Sequence, residues 1–173
     1  VPQGGRTYHS VGERHVPMAG VGEKRAFTLL MASSAAAQLL PFQCVYKGVT
    51  DGSLPQGEGR QSAENAGVEF AQNRDNHWAS MGTIKAWFSN ILVPHIEHVK
   101  QQKRLPSHQK AVLLIDCWSL HRSAEFLSFV KEEHLNILML FIHAVCTDCF
   151  QPADNGLNRA LKSIMRSSFH AWY

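Results

Sequence analysis

Two short, almost uninterrupted apolar runs stand out in the second half of the chain. Ala111–Cys117 places five apolar residues directly before Asp116, and Asn136–Ile142 is apolar nearly throughout. Runs of this length and character are typical of parallel strands that are buried on both faces. Arg25–Ser33 and Leu39–Lys47 read as two further strands, joined by a short turn of small and polar residues. The pattern therefore predicts four strands.

Helical periodicity is clearest in the middle of the chain. Apolar residues recur there at helical spacing, at Ile84, Trp87, Phe88, Ile91 and Leu92. This spacing predicts a long helix that begins near Thr83, with Ser80 or Thr83 as its N-cap. Pro94 should kink or interrupt this helix, which fades by about Arg104. The long helix separates the two pairs of predicted strands.

Shorter helices and loops complete the pattern. Ser123 is expected to cap a helix that runs to His134, and Asn155–Phe169 reads as the last helix. Residues 48–77 are rich in Gly, Pro, Ser, Asn and Asp, so they are predicted to be loop. The order of strands and helices is that of a mixed α/β fold.

Composition narrows the class of protein without indicating a function. The chain has 173 residues, of which 45% are hydrophobic and 18% charged, as in a globular domain. A net charge of +3 is compatible with nucleic acid as a partner but too small to indicate it. Four cysteines in a chain of this length do not form a secreted disulfide framework. Residues 26–46 lack charge, but polar residues and Pro41 interrupt them, so no membrane segment is expected.

Two carboxylates lie where an α/β sheet places its ligands. Asp116 and Asp154 each follow a connection from the sheet and precede a helix, so they can converge at one sheet edge. Together they could bind Mg²⁺, which prefers oxygen ligands. The alternatives are structural: Asp116 can close an Asx-turn, and Asp154, two residues after Pro152, can cap the last helix. Spacing alone favours these structural roles.

Other candidate groups are also open to two interpretations. Arg159, Lys162 and Arg166 share one face of the last helix, which suits a phosphate backbone but is also an ordinary solvated face. His121 can face the Asp116 site or serve a structural role at a helix start. The motif His143-x-x-Cys146-x-x-Cys149 has zinc-ligand residue types but no evident fourth ligand, so small residues packed under a loop are favoured.

Taken together, these segments resemble the DDE superfamily endonucleases, the transposase catalytic domains of the pogo, Tigger and jerky group. Leu114–Ser123 (LIDCWSLHRS) resembles the second catalytic block of that family, and Cys146–Gly156 (CTDCFQPADNG) resembles the third. Lys162 matches a lysine that follows the third block. Glu23–Thr28 and residues 40–43 are similar to the preceding strand pair. The likeness extends from about residue 6 to residue 168.

The resemblance implies a fold, a reaction and a set of partners. It implies an RNase H-like mixed sheet flanked by helices, with 23–173 as the endonuclease domain and 1–22 as an irregular segment. It carries over Asp116 and Asp154 as catalytic ligands of Mg²⁺ or Mn²⁺. It implies DNA cleavage and strand transfer, with Arg159, Lys162, Arg166 and His121 contacting nucleic acid. The resemblance also implies DNA as the partner and a nuclear location, and it allows a homodimer.

One part of the family pattern is not matched in these 173 residues. The family's first catalytic Asp precedes a segment that corresponds to Arg6–Tyr8, and so it is expected upstream of Val1, on the first and central strand. The expected metal binding is weak and the expected nuclease activity is absent or low. The alternative function is a domesticated, non-enzymatic domain that binds DNA or protein.

Overall fold

The computed structural model describes residues 26–143, 146 and 153–172, without the side chains of 154, 155 and 172. The expected segment 1–22 lies outside these residues. The strands are β1 (Phe27–Leu30), β2 (Gln43–Lys47), β3 (Glu69–Asn73), β4 (Ala111–Asp116) and β5 (Ile137–Ile142). The α-helices are α1 (Glu58–Asn65), α2 (Met81–Trp87), α3 (Val93–Lys103), α4 (Ala124–Glu133) and α5 (Asn158–Trp172).

The strands form two small sheets. In the first, β2 lies between β1, to which it is antiparallel, and β3, to which it is parallel. In the second, β4 and β5 pair in parallel over six residues, from Ala111 opposite Ile137 to Asp116 opposite Ile142. Within the described residues, no strand pairs with the other edge of β4. This mixed α/β architecture of small sheets flanked by helices confirms the predicted fold class and is consistent with an RNase H-like fold.

One hydrophobic core connects the two sheets. Phe88 is fully buried at its centre, and its ring packs edge-on against the rings of Phe126 and Phe129. The core takes Val45 from the first sheet and is covered by Leu113 of the second. Both sheets therefore depend on the same cluster of side chains.

The predicted long helix is present, with a change of helical type in its middle. Ser80 caps α2: its Oγ accepts a hydrogen bond from the N–H of Thr83 at 3.3 Å, and the Thr83 hydroxyl accepts one from the N–H of Ser80 at 2.8 Å. A π-helical turn, Phe88–Leu92, leads into α3 just before Pro94. The wider turn accommodates a residue that lacks an N–H. The helix ends at Lys103, as expected.

A fully buried polar side chain fixes the first sheet against α2. Gln43 donates two hydrogen bonds through its Nε2, one to Glu69 Oε1 at 3.2 Å and one to the carbonyl of Thr83 at 3.1 Å. Gln43 also lies opposite Glu69 in the pairing of β2 with β3. The position of β2 is therefore set by polar contacts as well as by apolar packing.

The prediction that residues 48–77 are loop is wrong, because this range contains α1 and β3. Helix α1 buries none of its side chains, so its sequence carries no apolar period that could reveal it. Strands β1 and β2 are also shorter than predicted, and β2 begins only at Gln43, after Pro41. The helix that Ser123 caps was predicted correctly: its Oγ accepts from the N–H of Phe126.

The second sheet is less buried than the sequence predicted. Leu113 and Ile115 pack on the core, but Val112 and Leu114 are 63% and 50% exposed. The expectation that Ala111–Cys117 is buried on both faces is therefore wrong for the second face. An apolar run shows that both faces are suited to burial, but it does not show what covers each of them.

Candidate functional site

The carboxylate of Asp116 lies at the carboxyl end of β4, where the apolar run stops. Its side chain is 36% exposed, so it is accessible from solvent although its strand packs against the core. Its Cα partner across the sheet is Ile142, the last residue of β5. The ends of both parallel strands therefore meet at the edge where the sequence placed the candidate ligand.

One oxygen of Asp116 is already engaged by the turn that follows the strand. Its Oδ1 accepts a hydrogen bond from His121 Nδ1 at 2.6 Å and a longer one from the N–H of Trp118 at 3.3 Å. The second bond is that of an Asx-turn, so the structural role considered for Asp116 is present. The hydrogen bond from His121 lowers the pKa of the Asp116 carboxyl, against the opposing effect of burial. Asp116 is therefore ionised near neutral pH.

His121 is held in place by aromatic neighbours. Its ring meets Trp118 edge-on, with centroids 5.4 Å apart, and packs against the core residue Phe126 at 5.7 Å. Its side chain is only 15% exposed. The sequence placed His121 either at the Asp116 site or in a structural role, and the family resemblance assigned it to nucleic acid, but neither indicated the direct hydrogen bond to Asp116. The spacing of five residues across a tight turn is the signal that could have indicated it.

The other oxygen of Asp116 is open to a ligand. Within the described part of the chain, Oδ2 accepts no hydrogen bond from a protein group. A partly exposed, ionised carboxylate with one oxygen outside the protein's hydrogen bonds is a suitable ligand for a hard divalent cation such as Mg²⁺ or Mn²⁺. Asp116 thus fits the expected metal as one ligand, and the described residues contain no cluster of three or more His, Cys, Asp or Glu side chains.

The second carboxylate lies in the turn that precedes the last helix. Asp154 falls within the π-helical turn Ala153–Leu157, which continues directly into α5. Its side chain lies outside the described residues. The pairing of Asp154 with Asp116 therefore stays a prediction.

The basic residues of α5 are open to solvent. Arg159, Lys162 and Arg166 are exposed, on the side of the helix opposite Leu157 and Leu161. Their contact with nucleic acid stays a prediction, as does that of His121. In the zinc motif, His143 and Cys146 are described but Cys149 is not.

Comparisons with known proteins agree with the predicted family. A family model described as "DDE superfamily endonuclease" matches residues 23–173. The chain is 31% identical over 85 residues to the Jerky protein of Mus musculus and to the Jerky protein homolog of Homo sapiens. Each match covers 49% of this chain and 14% of the relative, so the chain corresponds to a small part of either protein. No solved structure matches.

Proposed function

The chain belongs to the DDE superfamily endonuclease family, and from this premise we propose that it is a transposase-derived domain whose ancestral reaction is metal-dependent cleavage and joining of DNA strands. The observation that supports the proposal most directly is the Asp116 carboxylate. It lies at the end of β4, is ionised, and keeps one oxygen open to a ligand. A carboxylate of this kind is what a hard cation needs at a phosphodiester-cleaving site.

In this proposal Asp116 and Asp154 bind Mg²⁺ or Mn²⁺. The bound metal would supply Lewis acidity that activates a water and stabilises the leaving oxygen of the phosphodiester. Asp116 contributes its free Oδ2, while His121 holds Oδ1 and so fixes the orientation of the carboxylate.

The proposed partner is DNA, and the proposed location is the nucleus. Arg159, Lys162 and Arg166 present three positive charges on the solvent side of α5. Such a row contacts phosphates without reading the base sequence. Within 26–143 and 153–172, no helix has the length and apolarity needed to cross a membrane.

The site assignment is tested by Mn²⁺ binding and by DNA nicking. Mn²⁺ binding, followed by electron paramagnetic resonance, should fall at least roughly tenfold in Asp116→Asn or Asp154→Asn, because each substitution removes a charged ligand. Asp75→Asn is the control, since Asp75 is also exposed but lies in the turn after β3. Nicking of supercoiled DNA is measured with the same variants. Binding and nicking that survive both substitutions would exclude these residues as ligands.

The same experiment separates the alternative function. A domesticated domain would bind DNA with equal affinity in the presence and absence of Mn²⁺, and its binding would be unchanged by Asp116→Asn. Its affinity would still fall at higher salt, because phosphate contacts release counterions. Metal-independent DNA binding without Mn²⁺ binding would therefore favour the non-enzymatic role.

A further inference from the structure

The turn that joins α3 to β4 carries a cluster of positive charge at the end of β4 that lies away from Asp116. Residues 98–110 contain four basic residues and no acidic residue. Three of the four are exposed, and we call them the basic turn: Lys103, Arg104 and Lys110. Within the described part of the chain, none of these three side chains forms a hydrogen bond or an ion pair with a protein group. Their charges are therefore available to a partner.

A buried lysine holds the basic turn in place. Lys100 is only 5% exposed, and its Nζ donates hydrogen bonds to Glu97 Oε1 and to the carbonyl of Ser107, both at 2.8 Å. Asn136 Nδ2 donates a longer bond of 3.4 Å to the same carbonyl. Lys100 thus fixes the turn against α3, and it also pairs with the carboxylate that precedes the turn along the chain. Because the turn is fixed before any partner binds, binding requires little further ordering of its backbone.

Arg104 has a backbone conformation that folding alone does not favour for an arginine. It ends α3 with φ +52° and ψ +39°, which is the left-handed conformation. Glycine is the usual residue at such a helix end, because it has no Cβ to strain the backbone. A cation near the end of a helix opposes the helix dipole, which accounts for Lys103. It does not account for an arginine where glycine is preferred, so we expect the Arg104 side chain to have a role outside the fold.

We propose that the basic turn contacts the phosphate backbone of double-stranded DNA, as a contact surface separate from the basic residues of α5. The inference rests on the proposed function only in taking DNA as the partner. Lys110 precedes a six-residue strand that ends at Asp116, so the turn lies about 20 Å from that carboxylate. Phosphates of one DNA strand follow each other about every 3.4 Å, so a duplex that passes both Asp116 and the turn covers about six base pairs. Contacts of this kind orient the duplex without selecting its sequence.

The salt dependence of DNA binding tests this surface. Binding of a labelled duplex of about 20 base pairs to the full chain is followed by fluorescence anisotropy, without divalent cations, at about 50–200 mM salt. Arg104→Gly should lower the affinity roughly fivefold to tenfold at about 0.1 M salt, because one phosphate contact is lost. The slope of log affinity against log salt concentration should become less steep by about one. Lys103→Gln and Lys110→Gln, added to this variant, should each reduce the slope by about one more.

A stability measurement separates a DNA contact from a structural role. Glycine adopts the left-handed conformation freely, so Arg104→Gly should weaken DNA binding without lowering the urea midpoint of unfolding. Arg104→Asn also tolerates this conformation without carrying a charge, and it should behave in the same way. Arg74→Gly is the matched control, because it removes the same charge from the exposed turn after β3 and should leave the slope unchanged. An unchanged slope in the variant with all three substitutions, or an equal reduction in Arg74→Gly, would overturn the proposal.

Two further measurements separate the basic turn from the metal site and from another kind of partner. Mn²⁺ binding should be the same in the native chain and in the basic-turn variants, so failure of the Asp116 site and failure of the basic turn are observed independently. Polyglutamate is the alternative polyanion. If the variants lose binding to polyglutamate but keep the native salt slope for the duplex, the turn binds an acidic protein and the proposal is wrong.

Discussion

At the scale of single residues, the contact between Asp116 and His121 is central to the candidate site. One carboxylate oxygen serves the local turn, while the other is available to a ligand. The structural and functional interpretations of Asp116 are therefore not exclusive. The same imidazole that closes the turn also keeps the carboxylate charged and oriented.

Replacement of His121 should reveal this coupling through pH. In His121→Ala the pKa of Asp116 rises towards its ordinary value, which carbon-13 NMR of the carboxyl group would show. Because the native pKa is lowered, the stabilisation by this contact is full above about pH 4 and is lost as the pH falls further. The free energy of unfolding of the variant should therefore fall short of the native value by about 1 kcal/mol or less at pH 7, since the pair is partly exposed.

At pH 3 this difference should be smaller, because protonation of the Asp116 carboxyl removes part of the contribution of the contact. His121→Asn, which retains a donor near the position of Nδ1, is the control and should keep most of the native pKa of Asp116. An equal deficit in unfolding free energy at pH 7 and pH 3 would show that His121 acts only through packing against Phe126.

At the scale of secondary structure, prediction succeeded where a side chain has one clear local role. Ser80 and Ser123 begin helices because their hydroxyls accept the N–H groups of the first turn. Pro94 marks the change of helical type. Helix α1 and strand β3 were missed because α1 buries none of its side chains and β3 is half-buried along its whole length, so neither carries a periodic signal.

Removal of the Ser80 cap should destabilise the long helix. Ser80→Ala loses the bond that the Ser80 Oγ accepts from the N–H of Thr83, whereas the backbone N–H of residue 80 can still donate to the Thr83 hydroxyl. The substitution is expected to lower the free energy of unfolding by about 1 kcal/mol, measured with urea. Ser89→Ala is the matched control in the same helical region. The Ser89 hydroxyl only bonds back to the carbonyl of Lys85, so its loss should be neutral or slightly stabilising. Equal losses in both variants would contradict the role of the cap.

At the scale of the whole molecule, the shared core is the main determinant of stability. The apolar residues expected at the centre of the long helix do form it, and the predicted strands on either side both contact it. The sequence could not predict which element covers the second face of β4 and β5. An apolar run such as Ala111–Cys117 indicates that a strand is suited to burial, but not which element packs on it. The position of Asp116 at the sheet edge was predicted correctly. For His121 the Asp116 site was one of two interpretations, and its hydrogen bond to the carboxylate was not predicted.

The shared core predicts that both sheets respond to a single substitution. Phe88→Ala removes the ring that contacts Phe126 and Phe129 and should lower the free energy of unfolding by about 3–5 kcal/mol. Hydrogen exchange should then become faster in β2 and β4 together. Phe27→Ala is the control, because Phe27 lies at the edge of the first sheet and is partly exposed. Faster exchange in only one sheet would mean that the two sheets unfold independently.

The buried amide of Gln43 has a consequence for the fidelity of folding. A shift of β2 by one residue would turn this side chain to the opposite face and remove its bonds to Glu69 and Thr83. A buried amide without partners costs about 1–3 kcal/mol, so misaligned sheets are selected against as they form. Apolar neighbours such as Val45 tolerate imprecise packing far better. One polar residue in the core thus helps the chain reject near-native folds that hydrophobic burial alone would accept.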